Sequence, residues 1–225
     1  IKFLKDYQVN PISSILISFG ATRVLCSVSI EDSVPRWRVE QGLPGGWLTA
    51  EYQMLPASTN ERSRREVTSG KLSGRSAEIQ RLIGRSLRAM VDLEKMPEKT
   101  FYIDCDVIDA DGGTRCAAIS GAALALELAI NKLINDAVIV ENPIKERIAA
   151  VSVGIVQNEV LLDLCYKEDS AAEVDLNLVM TASGRFVELQ GSAEEASFDD
   201  KQLQEMLAIG KKGINEIIAE GNKLL

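Results

Sequence analysis

Apolar residues recur at period two over residues 15–19, where Ile15, Ile17 and Phe19 alternate with Leu16 and Ser18. After Gly20-Ala21-Thr22 the alternation resumes at Val24, Cys26, Val28 and Ile30, which predicts a hairpin with one buried face. A glycine-bearing loop is expected over 34–46, a strand over 47–54, and an exposed basic loop over 56–74. The period then changes. Ile79, Leu82, Ile83, Leu87, Met90 and Val91 form one stripe of a helix over 76–96, ended by Pro97. Phe101, Ile103, Cys105 and Val107 restore the strand period, and Asp111-Gly112-Gly113-Thr114 reads as a turn. Residues 116–133 are small and apolar on most faces, which predicts a buried helix.

The second half repeats the plan loosely. A hairpin turns at Asn158-Glu159, strands are expected over 174–180 and 185–190, and an amphipathic helix over 199–224 carries Leu203, Met206, Leu207, Ile214, Ile217 and Ile218. Strands and helices in this order pack as layers, giving an α/β (α+β) fold with a mixed sheet against helices. No linker interrupts the pattern, so one domain is expected over 1–225.

Composition narrows the chemistry. The chain has no histidine, which excludes Ser-His-Asp and Cys-His hydrolases, a His general base and His-ligated zinc. Its four cysteines form no C-x-x-C pair and read as buried free thiols, pointing to a reducing, cytoplasmic setting. No apolar stretch long enough to span a membrane is expected. The chain begins at Ile1, so a preceding segment is expected.

A net charge of −8 argues at first against a nucleic-acid partner. The charge is unevenly spread, however. Residues 59–88 hold eight Lys or Arg against three Glu, a balance of +5 against −13 for the remainder. Seven of the eight are arginine, the residue suited to bidentate phosphate contacts, although a solvated loop and helix face is the plain alternative. Arg81, Arg85 and Arg88 share one helical face, and Arg64 and Arg65 lie in the loop.

Two further clusters complement this one. Asp111-Gly112-Gly113-Thr114-Arg115 joins a strand to a helix, where free N–H groups, a hydroxyl and a guanidinium suit an anion. A tight turn with Thr114 as helix cap is its structural alternative. In the acidic run 168–177, Glu173, Asp175 and Asn177 share the polar face of a strand, with Asp169 just before it. Such oxygens suit Mg²⁺, which takes one or two carboxylates plus substrate phosphate; a solvated strand edge is the alternative. Two phosphate sites and an acidic pair suit phosphoryl transfer, which needs no histidine.

Three segments, WLTAEYQMLP (47–56), SGR…EIQRLIGR (73–85) and IDCDVIDADGGTR (103–115), resemble the ribonuclease PH family, and the likeness runs through essentially the whole chain. The resemblance implies a phosphate-dependent 3′ exoribonuclease that trims tRNA precursors, releases nucleoside diphosphates and can run in reverse to add nucleotides. It implies that Arg75, Gly113, Thr114 and Arg115 bind the phosphate co-substrate, and that Asp169 and Asp175 serve catalysis and a Mg²⁺ ion. Arg62, Arg64, Arg65 and Arg81 are expected on the RNA. A homohexameric ring, a trimer of dimers, is implied as well. The alternative is a catalytically silent, RNA-binding ring subunit of exosome type. Ala57 stands where the family pattern carries arginine.

Overall fold

The computed structural model describes residues 1–193 and 197–225. The first half contains β1 (Lys2–Lys5), β2 (Ser13–Phe19), β3 (Thr22–Glu31), α1 (Arg36–Glu40), β4 (Trp47–Met54), α2 (Gly74–Met90), β5 (Thr100–Asp109) and α3 (Thr114–Asn135). The second contains β6 (Ile148–Val156), β7 (Glu159–Leu162), α4 (Tyr166–Asp169), β8 (Val174–Thr181), β9 (Phe186–Ala193) and α5 (Asp200–Gly221). The strands form two sheets, ordered β1-β2-β3-β5-β4 and β7-β6-β8-β9. The first sheet is mixed, because β4 runs parallel to β5, while the pairs of the second are antiparallel.

Helix α3 lies between the sheets, packed on β2 and β3 from one side and β6 from the other. α2 shares this layer and covers β4, while α5 closes the far face of the second sheet. The layers therefore run sheet, helices, sheet, helix. The position of α3 explains its composition. Sixteen of its 22 residues are buried, and its Ala and Gly residues let both sheets approach. This corrects the expectation that no stretch could span a membrane. By length and apolar content α3 qualifies, and 78% of the qualifying window is buried inside the fold.

Several elements differ from the periodicity reading. β1 is an edge strand paired with β2, and its mostly exposed residues carry no apolar alternation. β2 is buried on both faces rather than one: the Gln8 N–H bonds Ser14 Oγ at 2.7 Å, so the segment after β1 folds back over it. Within the expected 34–46 loop, α1 buries Arg38, the second of its two arginines. Arg38 sits 5.8 and 5.6 Å from the Trp37 and Trp47 rings, which meet edge to face at 5.0 Å. α2 ends at Met90, six residues early, because Val91 turns extended and bridges to Ile144. β7 stops at Leu162, where Asp163 adopts a left-handed backbone (φ 59).

The face of the first sheet turned away from α3 is acidic. Glu51 is register partner to Asp104, with Asp106 two residues on. Desolvation, then the charge of Glu51, pushes the carboxyls of both Asp104 and Asp106 above their ordinary range.

Candidate active site

The Gly112-Gly113 loop enters α3 at the seam between the sheets and is pinned from three directions. Thr22 Oγ1 donates to the Gly112 carbonyl (2.7 Å) and accepts from the Asp111 N–H (2.8 Å). Asp111 Oδ1 accepts from the Tyr166 N–H at 3.2 Å, tying the loop to α4. The Leu164 carbonyl lies only 2.2 Å from where a Cβ on Gly112 would sit, and Gly112 has φ +82, so only glycine fits. Gly113 occupies the cap position of α3, and no side chain caps the helix. Ser73 and Asp199, in contrast, cap α2 and α5. The first N–H groups of α3 are thereby left for an anion.

Thr114 is not the cap that a tight turn would use. It lies inside α3, and its Oγ1 accepts from the buried Tyr52 hydroxyl at 2.9 Å. Arg75 in turn donates to Tyr52 Oη at 3.5 Å. A donor chain runs Arg75 to Tyr52 to Thr114, which lines the adjoining cavity and keeps its own hydroxyl hydrogen to donate. The start of α2, on which Arg75 lies, is tied down by Glu66, which accepts from Ser76 Oγ (2.6 Å) and the Ser73 N–H (3.3 Å). Burial works against the charge of Glu66, but the bonds from Ser76 and Ser73 outweigh it and hold its carboxyl below the usual range.

The cavity has a volume of about 440 Å³ and is lined by Arg75, Gly113, Thr114, Arg115, Asp169 and Asp175, among others. The residues expected to bind phosphate and the pair Asp169 and Asp175 therefore meet in one place, whereas Glu173 precedes β8, does not line the cavity and accepts from the Asn158 N–H at 3.3 Å. Asp169 closes the short α4, and Asp175 lies near the start of β8. Arg115 donates to Gln190 Oε1 at 2.9 Å and stands 3.7 Å from Glu78. A second hollow, about 270 Å³, shares Met54, Thr59 and Arg75 with the first and is lined by Arg64 and Arg65. Arg62 is exposed nearby in sequence but lines neither.

Other arginines do not converge. Arg81 lines a separate surface hollow with Arg88. Arg85 is held by Glu188 through two bonds of 2.9 and 2.6 Å. Arg88 donates to the Leu48 carbonyl at 3.0 Å and covers the Trp47 ring at 4.9 Å. Two members of the predicted arginine face thus fasten α2 to its neighbours, and the third is displaced from the site.

The polar row of β8 is not a solvated edge. Asp175 and Asn177 face the start of α3, while Leu178 packs on α5 at Gly210. Asn177 is 8% exposed; its Oδ1 accepts from the Cys116 thiol at 3.3 Å and its Nδ2 donates to Asp175 Oδ2 at 3.1 Å. Both ends of the amide are thus engaged by neighbours within the protein. Among the described residues, no group of three or more His, Cys, Asp or Glu side chains is placed to hold a metal. Mg²⁺ needs no such cage when substrate phosphate completes its shell, and Asp169 with Asp175 beside the anion donors fit that mode.

The chain matches the 3′ exoribonuclease family, domain 1, over residues 6–130 and domain 2 of the same family over 146–213. Ribonuclease PH of Bacillus subtilis (strain 168) is 54% identical over 226 residues, covering 100% of this chain and 91% of that protein. Ribonuclease PH of Bacillus pumilus is 56% identical over 219 residues, covering 97% and 90%. This chain belongs to the ribonuclease PH family. Distant solved structures share the fold. Rice Rrp46 superposes with a TM-score of 0.77 at 17% identity, covering 98% of this chain and 92% of that one. An Archaeoglobus fulgidus exosome chain, from a structure with RNA bound to the active site, gives 0.76 at 19%, covering 97% and 87%.

Within this ribonuclease PH family member, the cavity draws on both matched regions. Arg75, Thr114 and Arg115 come from the first, and Asp169 and Asp175 from the second. Tyr52, Thr22, Glu66 and Gln190, which hold these groups, were not evident from motifs. Tyr52 had one usable signal: it falls on the inward side of β4 with Leu48 and Ala50, and a buried tyrosine hydroxyl demands a partner.

Proposed function

We propose that this protein trims the 3′ ends of tRNA precursors and other RNAs by phosphorolysis, with the cavity under the start of α3 as the reaction centre. The family activity is phosphate-dependent 3′ exoribonuclease and nucleotidyltransferase chemistry. The observation that carries the assignment to this cavity is the convergence of an uncapped helix start, Arg75, Arg115 and the Thr114 hydroxyl on one side with Asp169 and Asp175 on the other.

Inorganic phosphate binds to the N–H groups of α3, the Thr114 hydroxyl and the guanidinium groups of Arg75 and Arg115. These donors neutralise an anion that the RNA backbone would otherwise repel. One phosphate oxygen attacks the terminal phosphodiester phosphorus, the bond from phosphorus to the 3′ oxygen breaks, and the last nucleotide leaves as a nucleoside diphosphate. Each well-aimed donor is worth on the order of 3 kcal/mol in such a transition state. Asp175 stands beside the leaving 3′ oxygen, where a proton or an opposing charge is needed. Mg²⁺, held by Asp169 and Asp175, supplies charge neutralisation at that oxygen when bound. Arg64 and Arg65 in the adjoining hollow, with Arg62, take the RNA backbone. A homohexamer, assembled as a trimer of dimers, and a cytoplasmic setting complete the reading; its support for the latter is that all four thiols are free.

The test is direct. A tRNA bearing extra 3′ nucleotides is incubated with Mg²⁺, with and without phosphate, and nucleotides are separated by chromatography. Nucleoside diphosphates should appear only with phosphate, and Arg115→Ala should lower kcat/KM about a hundredfold or more. Equal products without phosphate refute phosphorolysis, and full activity in Arg115→Ala refutes the phosphate site. Light scattering on the eluting protein reports the hexamer.

A further inference from the structure

We propose that Asn177 and Cys116 form a positioning relay that holds the Asp175 carboxylate in its working orientation. The inference rests on the catalytic reading of Asp175 given above.

The geometry is a short chain of two hydrogen bonds. The Cys116 thiol reaches Asn177 Oδ1 at 3.3 Å, and Asn177 Nδ2 reaches Asp175 Oδ2 at 3.1 Å. Each partner leaves the next one choice. The amide turns its NH₂ toward Asp175, whose Oδ2 accepts from it. The amide oxygen then faces Cys116 and needs a donor. Burial at the start of α3, foremost among the causes, pushes the Cys116 thiol far above its ordinary range, so it keeps its hydrogen and supplies that donor. Cys116 is 1% exposed and Asn177 8%, so water does not compete for the bond between them.

The relay also links two elements of the centre. Cys116 lies one residue after Arg115, so the helix that presents the phosphate donors also orients the carboxylate across the cavity. A shift of α3 against β8 would disturb both at once. Neither Asn177 nor Cys116 is required to touch substrate. Their effect should therefore fall on turnover rather than on affinity.

Steady-state kinetics on the full-length protein, with phosphate and with RNA varied separately, tests this. Cys116→Ala should lower kcat about tenfold with both KM values within about twofold, and Cys116→Ser, which restores a donor, should recover kcat to within about threefold of the parent. Asn177→Ala should lower kcat by about ten- to a hundredfold, again with little change in either KM. Thermal melts accompany each variant. If Asn177→Ala fails to fold, the Cys116→Ala and Cys116→Ser pair decides, since both are small changes of volume. Equal loss in Ala and Ser variants would show that Cys116 only fills space, and a rise in KM with unchanged kcat would show a binding role; either overturns the relay. Asp175→Ala separates the two levels of the argument. If Asp175→Ala turns over normally, the catalytic reading of Asp175 fails. If it is inactive while Asn177→Ala and Cys116→Ala match the parent, only the relay fails.

Discussion

Tyr52→Phe removes one oxygen atom from a fully buried ring and breaks the donor chain that runs from Arg75 to Thr114. The ring stays, so no apolar contact is lost. What is lost is a 2.9 Å bond to Thr114 and the acceptor of a longer bond from Arg75. A neutral bond of this kind is worth about 1 kcal/mol net, and a buried group left unsatisfied raises the cost to about 1–2 kcal/mol. For a chain of this size that corresponds to a fall in melting temperature of about 3–6 °C. The more telling effect is on phosphate. Without the Tyr52 hydroxyl, the Thr114 hydroxyl can turn its hydrogen elsewhere, and one donor to the anion is no longer aimed. The KM for phosphate should rise about three- to tenfold while RNA affinity stays unchanged. A double-mutant cycle with Thr114→Val sharpens the test, because the two changes act on one bond and should couple by at least about 0.5 kcal/mol. A lowered melting temperature with an unchanged phosphate KM would refute the argument and leave Tyr52 as a core residue only.

Further outcomes follow from other features. Gly112→Ala should abolish turnover and lower soluble yield, because its new Cβ would meet the Leu164 carbonyl and its backbone is left-handed; wild-type activity would show that the loop can relax. Glu51→Gln should raise the denaturant midpoint at pH 7 and leave it unchanged near pH 3. The raised carboxyls of Asp104 and Asp106 make ionisation costly in the native state, so stability falls as pH rises through the carboxylate range, and removing Glu51 relieves part of that fall. RNA binding should weaken steeply between low and moderate salt, since a basic patch works against a −13 remainder. A flat salt profile would exclude Arg64 and Arg65 as backbone contacts.

Much of this was legible in the sequence, for reasons that can be named. β5 and β8 show alternation, α2 shows a stripe, and α3 shows apolarity on nearly every face because two sheets cover it. The convergence of Arg75, Thr114, Arg115, Asp169 and Asp175 followed from motifs that keep their order along the chain. α1 was hidden because its buried residue is an arginine, while Trp37 and Val39 remain exposed. β1 was hidden because an edge strand needs no apolar face. The arginines of α2 looked alike by spacing, yet their fates depend on remote partners. Glu188, which neutralises Arg85, is 103 positions away, and the Leu48 carbonyl that takes Arg88 is 40 away. The polar row of β8 was left open between a site and a solvated edge because periodicity gives the alternation of a strand without saying what covers each side.

Glu188 and Gln190 stand two apart on β9, and each grips an arginine from the first half of the molecule: Arg85 on α2 and Arg115 on α3. One edge strand is therefore a clasp across the seam. The seam is also where the phosphate donors and the aspartates face each other, so the reaction centre belongs to neither half and arises only from their alignment. Damage to the clasp would be recorded by an assay as a loss of catalysis, although every group in contact with phosphate or RNA would still be present.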